Sequence, residues 1–146
     1  MRRLRIATVF MLTGALAACE PRGARAPSSH FNAPTHDLHT LPEWAPVGGF
    51  AVGRHVFLKP SQQNAIGIGH ELVHLRQQAE HPLWFWVSYA ASPRWRLRWE
   101  AEAYAVQARA GCPVDGEHGL AAYLAGKAYL WPGTAEEAKR EILRFR

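Results

Sequence analysis

Cysteine is scarce: Cys19 and Cys112 are the only two in 146 residues, so at most one disulfide can close within the chain. No stretch is long enough to cross a bilayer as a helix, since the apolar run from Ile6 to Leu16 falls well short of the ~20 residues required. No internal repeat is present, which excludes solenoids and propellers. A large charge of one sign is also missing. The formal net charge is +5, but Arg2, Arg3 and Arg5 belong to an N-terminal segment that reads as a removed signal. Without them, 17 basic residues become 14 against 12 acids, and nothing in that balance points to nucleic acid. What remains is a chain with 48% hydrophobic residues and six Trp, enough for one globular domain with a modest core.

Within it, His70-Glu71-Leu72-Val73-His74 matches the H-E-x-x-H pattern. On a helix, residues four apart stack on one face, so both imidazoles can reach one zinc ion, Zn2+. Glu71 lies about 100° further round, placed to take a proton from a water at that metal. The flanks suit a buried helix. Ile66, Val73, His74 and Gln77 fall within about 60° of His70, while Ile68, Leu72 and Leu75 make a second apolar band. Gly67 and Gly69 cost helix propensity, roughly 1 kcal/mol each against Ala, and imply close approach of another element.

The N-terminal segment, residues 1–18, has basic residues, an apolar run and then small side chains. It ends in Leu16-Ala17-Ala18-Cys19, which resembles the lipobox of bacterial lipoproteins. That resemblance implies an acylated Cys19, a lipid bilayer as partner, and a place in the bacterial cell envelope. Glu20 in the next position resembles outer-membrane retention. An acylated Cys19 leaves Cys112 alone, a small packing residue between Gly111 and Pro113. Residues 19–46 carry five Pro and read as a flexible tether in which His30, His36 and His39 are solvated. The folded domain is expected over 47–146.

That domain opens with a hairpin from Gly48 to Pro60, with Gly53 in the turn and His55-Val56-Phe57-Leu58 as its second strand. The strand before the motif helix resembles the edge strand on which zinc peptidases lay extended substrate. A hairpin that merely covers the helix fits the same residues. Pro82 starts a third element ending at Ser92-Pro93, apolar nearly all round, a core helix or a segment that touches lipid. Further helices are expected over 94–110, 116–130 and 134–146. The last is opened by a Thr134–Glu137 capping box and faces the core with Ala138, Ile142 and Phe145. The fold class is therefore mostly α (α+β), a short hairpin followed by about five helices.

A catalytic zinc takes three protein ligands, so a third is needed. Glu100 and Glu102 are the candidates. With Trp95 at 0°, Glu102 sits at roughly 340° beside Arg98 and Arg109, and so reads as a surface ion-pair member. Glu100 sits at roughly 140° near Tyr104 and Gln107 on a half-buried side, where a carboxylate needs a cation. His-Glu-Leu-Val-His followed by Glu100-Ala101-Glu102-Ala103-Tyr104 resembles the gluzincin class of zinc metallopeptidases. Gly53 to Gln78 with Trp99 to Gln107 is similar to a group of small bacterial domains of peptidase type. The resemblance implies a minimal zincin-like fold, with His70, His74 and Glu100 as metal ligands and Glu102 as second choice. Glu71 is the general base and His55, Tyr89 and Tyr104 are candidate transition-state donors. Four residues after Glu100 the chain has Tyr104 where gluzincins often carry an acid that steadies a His. The implied activity is zinc-dependent hydrolysis of a peptide or protein of the envelope. The alternative is a non-catalytic envelope lipoprotein whose metal holds the domain together, or one with an assembly role.

Overall fold

The computed structural model describes residues 35–126, 129–130 and 133–146. The signal segment, Cys19 and His30 lie outside them. The strands are β1 (Asp37–Thr40), β2 (Gly49–Val52) and β3 (His55–Leu58). The helices are α1 (Ala65–Glu80), α2 (Pro82–Ala91), α3 (Pro93–Arg109), α4 (Leu120–Leu124) and α5 (Ala135–Phe145). The chain is mostly α with a small β part, as expected.

Helix α1 is the centre of the molecule. Asn64 caps it, its side chain accepting from the Ile66 and Gly67 amides. Its two apolar bands go to opposite neighbours. Leu75, with Ile68 and Leu72 beside it, packs on Ala51, Val56 and Leu58 of the sheet. The other side, with Ile66, His70, Val73, His74 and Gln77 all buried, turns toward α2 and α3. Gly69 lets α3 approach: a Cβ there would stand 3.1 Å from a Val106 methyl. Beyond α3, a second core gathers Leu97, Ala101, Tyr104, Ala108, Leu120, Leu124, Ala138 and Ile142 from α3, α4 and α5. The Thr134–Glu137 capping box forms as the spacing predicts.

Three expectations need correcting. The stretch read as tether contains β1, which pairs in parallel with β3 in a sheet of order β1-β3-β2. Its own residues carry almost no apolar alternation; β3 supplies the pairing, with Asp37 N donating to Arg54 O (2.9 Å) and Leu41 N to Leu58 O (2.8 Å). An ion pair from Arg54 to Asp37 (2.8 Å) adds to it. The sheet therefore takes in residues 37–40, ahead of residue 47. Second, β3 is flanked on both sides, so it is not an edge strand. Third, where a helix is expected over 116–130, the α-helical residues among those described are Leu120–Leu124. Gly116 adopts φ +93° just before, a turn that breaks the helical path. Cys112 is buried in the second core, as a packing residue would be, but it is not a free thiol.

Candidate metal centre

The motif spacing does what the helix geometry demands. His70 and His74 stack on the inner face of α1, with their Nε2 atoms 3.3 Å apart. Glu100 comes across from α3 and straddles them: its Oε2 is 3.6 Å from His70 Nε2 and its Oε1 is 3.6 Å from His74 Nε2. At that distance neither contact is a hydrogen bond. Zinc held tetrahedrally at ~2.0–2.1 Å requires donor atoms roughly 3.3–3.5 Å apart, and these separations match. Among the described residues, this is the trio of His, Cys, Asp and Glu whose donor atoms all lie within 4.8 Å of one another. Glu100 is fully buried, with no hydrogen-bond partner for Oε2. A buried carboxylate oxygen without a donor is costly unless a cation faces it, so the donor set fits a divalent metal.

The supporting contacts also fit. Gln77 donates from Nε2 to Trp99 O (3.0 Å) and Glu102 Oε2 (2.8 Å), which fixes its amide and turns its oxygen toward His74. That oxygen is 2.8 Å from His74 Nδ1, so Nδ1 carries the proton and Nε2 keeps its lone pair for a metal. Gln107 places its Nε2 2.9 Å from His70 Nδ1. Its carboxamide can turn either end to the ring, and the metal-ligating tautomer needs the oxygen. Tyr89 donates to Glu100 Oε1 at 2.6 Å.

Glu71 is 2% exposed and its Oε2 has no hydrogen-bond partner. Burial pushes its pKa up to about 8. Burial likewise pulls His70 down. For His74 burial acts in the same direction, but Glu100 outweighs it and raises that imidazole to about 9. Burial would raise Glu100, yet the two imidazoles outweigh it and hold the carboxyl well below the usual range. Tyr89 is pushed well above its ordinary value by burial, then by Glu100, and stays a neutral donor.

The remaining candidates fall elsewhere. Glu102 lies outside the trio, and in place of Arg98 or Arg109 its partners among the described residues are Arg76 and Gln77 of α1, from which it accepts. The wheel placed it beside its own helix's arginines, whereas the crossing of α1 over α3 supplies nearer partners. His55 meets His39 (3.1 Å) and Asp37 (3.5 Å) on the exposed part of the sheet, with no contact to the trio. Tyr104 lays its ring edge-on to His70 at 4.8 Å, and its hydroxyl is engaged with that of Tyr129 at 2.5 Å. Tyr89 spends its proton on Glu100. None of the three is a spare donor beside Glu71. Sequence reasoning missed Gln77 and Gln107 as supports, although both stood on the His70 and Glu100 faces of their wheels. It also missed Gly49, where a Cβ would meet Glu71 Oε1 at 3.0 Å.

No protein-family model, curated protein or solved structure matches this chain. None of these comparisons bears on the gluzincin resemblance.

Proposed function

We propose that the chain is a zinc-dependent hydrolase, a metallopeptidase of the bacterial cell envelope. His70, His74 and Glu100 hold the ion, which supplies Lewis acidity and lowers the pKa of water. Glu71, which the charge of a bound ion would hold as the carboxylate, takes the proton of the attacking water and returns it to the leaving amine. Glu71 carries this reading: a buried carboxyl with an unpartnered oxygen, close enough to the trio to feel His74 and Glu100, serves no structural metal. Gly49 of β2 lies beside Glu71, where a Cβ would stand 3.0 Å from Oε1, and Gln78 of α1 donates to Ala51 O (2.8 Å).

One observation favours the second reading, a structural metal in an envelope lipoprotein. His70, His74 and Glu71 are each 2% exposed and Glu100 is 0%, so a substrate reaches them only if something opens. Metal analysis followed by a peptide-library cleavage screen separates the two. Zinc bound and peptides cleaved, with cleavage lost by roughly 10²–10⁴-fold in Glu71→Gln while zinc is kept, supports the hydrolase. Zinc without cleavage supports the structural metal. No zinc after loading at neutral pH overturns both.

The membrane anchor is proposed at Cys19. Acylation of that sulfur and a disulfide from it to Cys112 exclude one another, and Cys112 is not a free thiol. Mass spectrometry of the protein from its native membrane decides it: an acylated Cys19 supports the anchor, and a Cys19–Cys112 linked peptide overturns it.

A further inference from the structure

Helix α2 has no charged residue, and only one side of it is used in packing. Phe85, Ser88 and Tyr89 are buried, Phe85 and Tyr89 against Trp99 and Ser88 bonded to its indole N–H. The other side leaves Leu83 78%, Trp84 49% and Val87 48% exposed, with Trp86, Ala90 and Ala91 also in solvent. Single exposed apolar residues are ordinary, but a whole helix side is not. The corrected expectation is thus intermediate, since α2 is half in the core and half out.

This apolar side runs into a basic one. The Trp84 ring lies edge-on to Trp95 at 5.7 Å, and the Arg98 guanidinium stands 5.3 Å over Trp95. Trp95 and Arg98 in turn line a groove of about 700 Å³ between α3 and α5, which shares no residue with the metal centre. Arg94, Arg98, Arg140 and Arg144 line it, with Glu137 and Glu141. Glu137 is committed to the α5 cap, and Glu141 lies 3.9 Å from Arg144. Arg94, Arg98 and Arg140 are in no ion pair among the described residues. The groove therefore keeps a positive excess beside a tryptophan-rich apolar helix.

We propose that the exposed side of α2 and this arginine-lined groove together form a docking surface for an anionic lipid bilayer. Leu83, Trp84 and Val87 enter the headgroup–acyl boundary, where indoles are stable, and the arginines meet lipid phosphates. Charge complementarity favours a bilayer over a second copy, because a two-fold contact through this face would bring the arginine clusters together. The surface belongs to the folded domain and requires neither the metal nor an acyl chain.

The test uses the unacylated chain from Cys19 onward in co-sedimentation with phosphatidylcholine vesicles, with and without phosphatidylglycerol. Binding is expected with phosphatidylglycerol, and it weakens as salt is raised. Leu83→Asp with Val87→Asp should lower the partition coefficient by roughly tenfold or more. Arg94→Glu with Arg98→Glu should lower it at least as far, each lost arginine alone costing roughly fivefold. All four positions are solvent-facing, so unchanged circular-dichroism melts show that the variants fold. No binding, equal binding to both vesicle types, or binding that survives both double variants overturns the proposal. So does a concentration-dependent dimer that Leu83→Asp dissociates in a protein that ignores vesicles, which would make a second copy the occupant.

Discussion

At the scale of single residues, the metal centre is organised by amides as much as by its charged groups. Gln77 is pinned by Trp99 O and Glu102, and so presents an acceptor to His74 Nδ1; the Gln107 amide nitrogen lies 2.9 Å from His70 Nδ1. This grades the consequences of mutation. On the proposed site Glu100→Ala would remove a ligand and the charge that balances the metal, so zinc affinity should fall by far more than in any supporting variant. Gln77→Ala frees the His74 ring and should lose roughly 10–100-fold. Glu102→Ala removes one of two groups holding Gln77, and should lose roughly tenfold or less. Zinc titration of the three variants against a chromophoric chelator checks the order. Tight binding kept by Glu100→Ala and lost by Glu102→Ala would reverse the assignment of the third ligand. That Glu100 rather than Glu102 turns away from the surface was legible from the helical wheel, because its position relative to Trp95 depends only on one continuous helix. The partners of Glu102 were not, because they come from α1, and a crossing angle between helices is written in no single element's periodicity.

At the scale of elements, what could be read was whatever is periodic or capped. Both bands of α1, the Gly53 turn, and the Thr134 cap with Ala138 and Ile142 follow from local rules. β1 does not, because Asp37-Leu38-His39-Thr40 becomes a strand only when β3 lies beside it. The true edge facing α1 is β2, and α1 blunts it: Gln78 accepts from Gly53 N (3.1 Å) and donates to Ala51 O (2.8 Å). Gly49 lies on that edge with no room for a side chain, since a Cβ would stand 2.4 Å from a Leu58 methyl and 2.9 Å from Phe57 O. Gly49→Ala should therefore destabilise the fold by about 1–3 kcal/mol, because backbone has to shift. It should also displace Glu71. Urea unfolding measures the first effect. A wild-type midpoint would show that the sheet and α1 are less tightly joined than these distances state.

At the scale of the molecule, the His70–His74–Glu100 group joins α1 to α3, the two helices on which both cores are built. An ion there ties the sheet side to the α4–α5 side. Zinc should raise the melting temperature, since a ligand that binds only the folded state stabilises it. The effect should grow with pH, by an argument whose sign can be followed. Without metal, Glu100 raises His74 to about 9, against an ordinary 6.5, so that ring is protonated at neutral pH. The stability this contributes is fully present below about 6.5 and is lost as pH rises through about 9. Burial raises Glu71 from 4.5 to about 8, so its contribution also erodes between those values. The metal-free domain should therefore melt at progressively lower temperature from about pH 6 to pH 9. Zinc must displace the His74 proton, so its apparent affinity should rise by roughly tenfold per pH unit across the same range. The melting curves with and without zinc should accordingly diverge toward alkaline pH. Parallel curves, or an affinity that does not change with pH, would mean that His74 gives up no proton to the metal and is not a ligand.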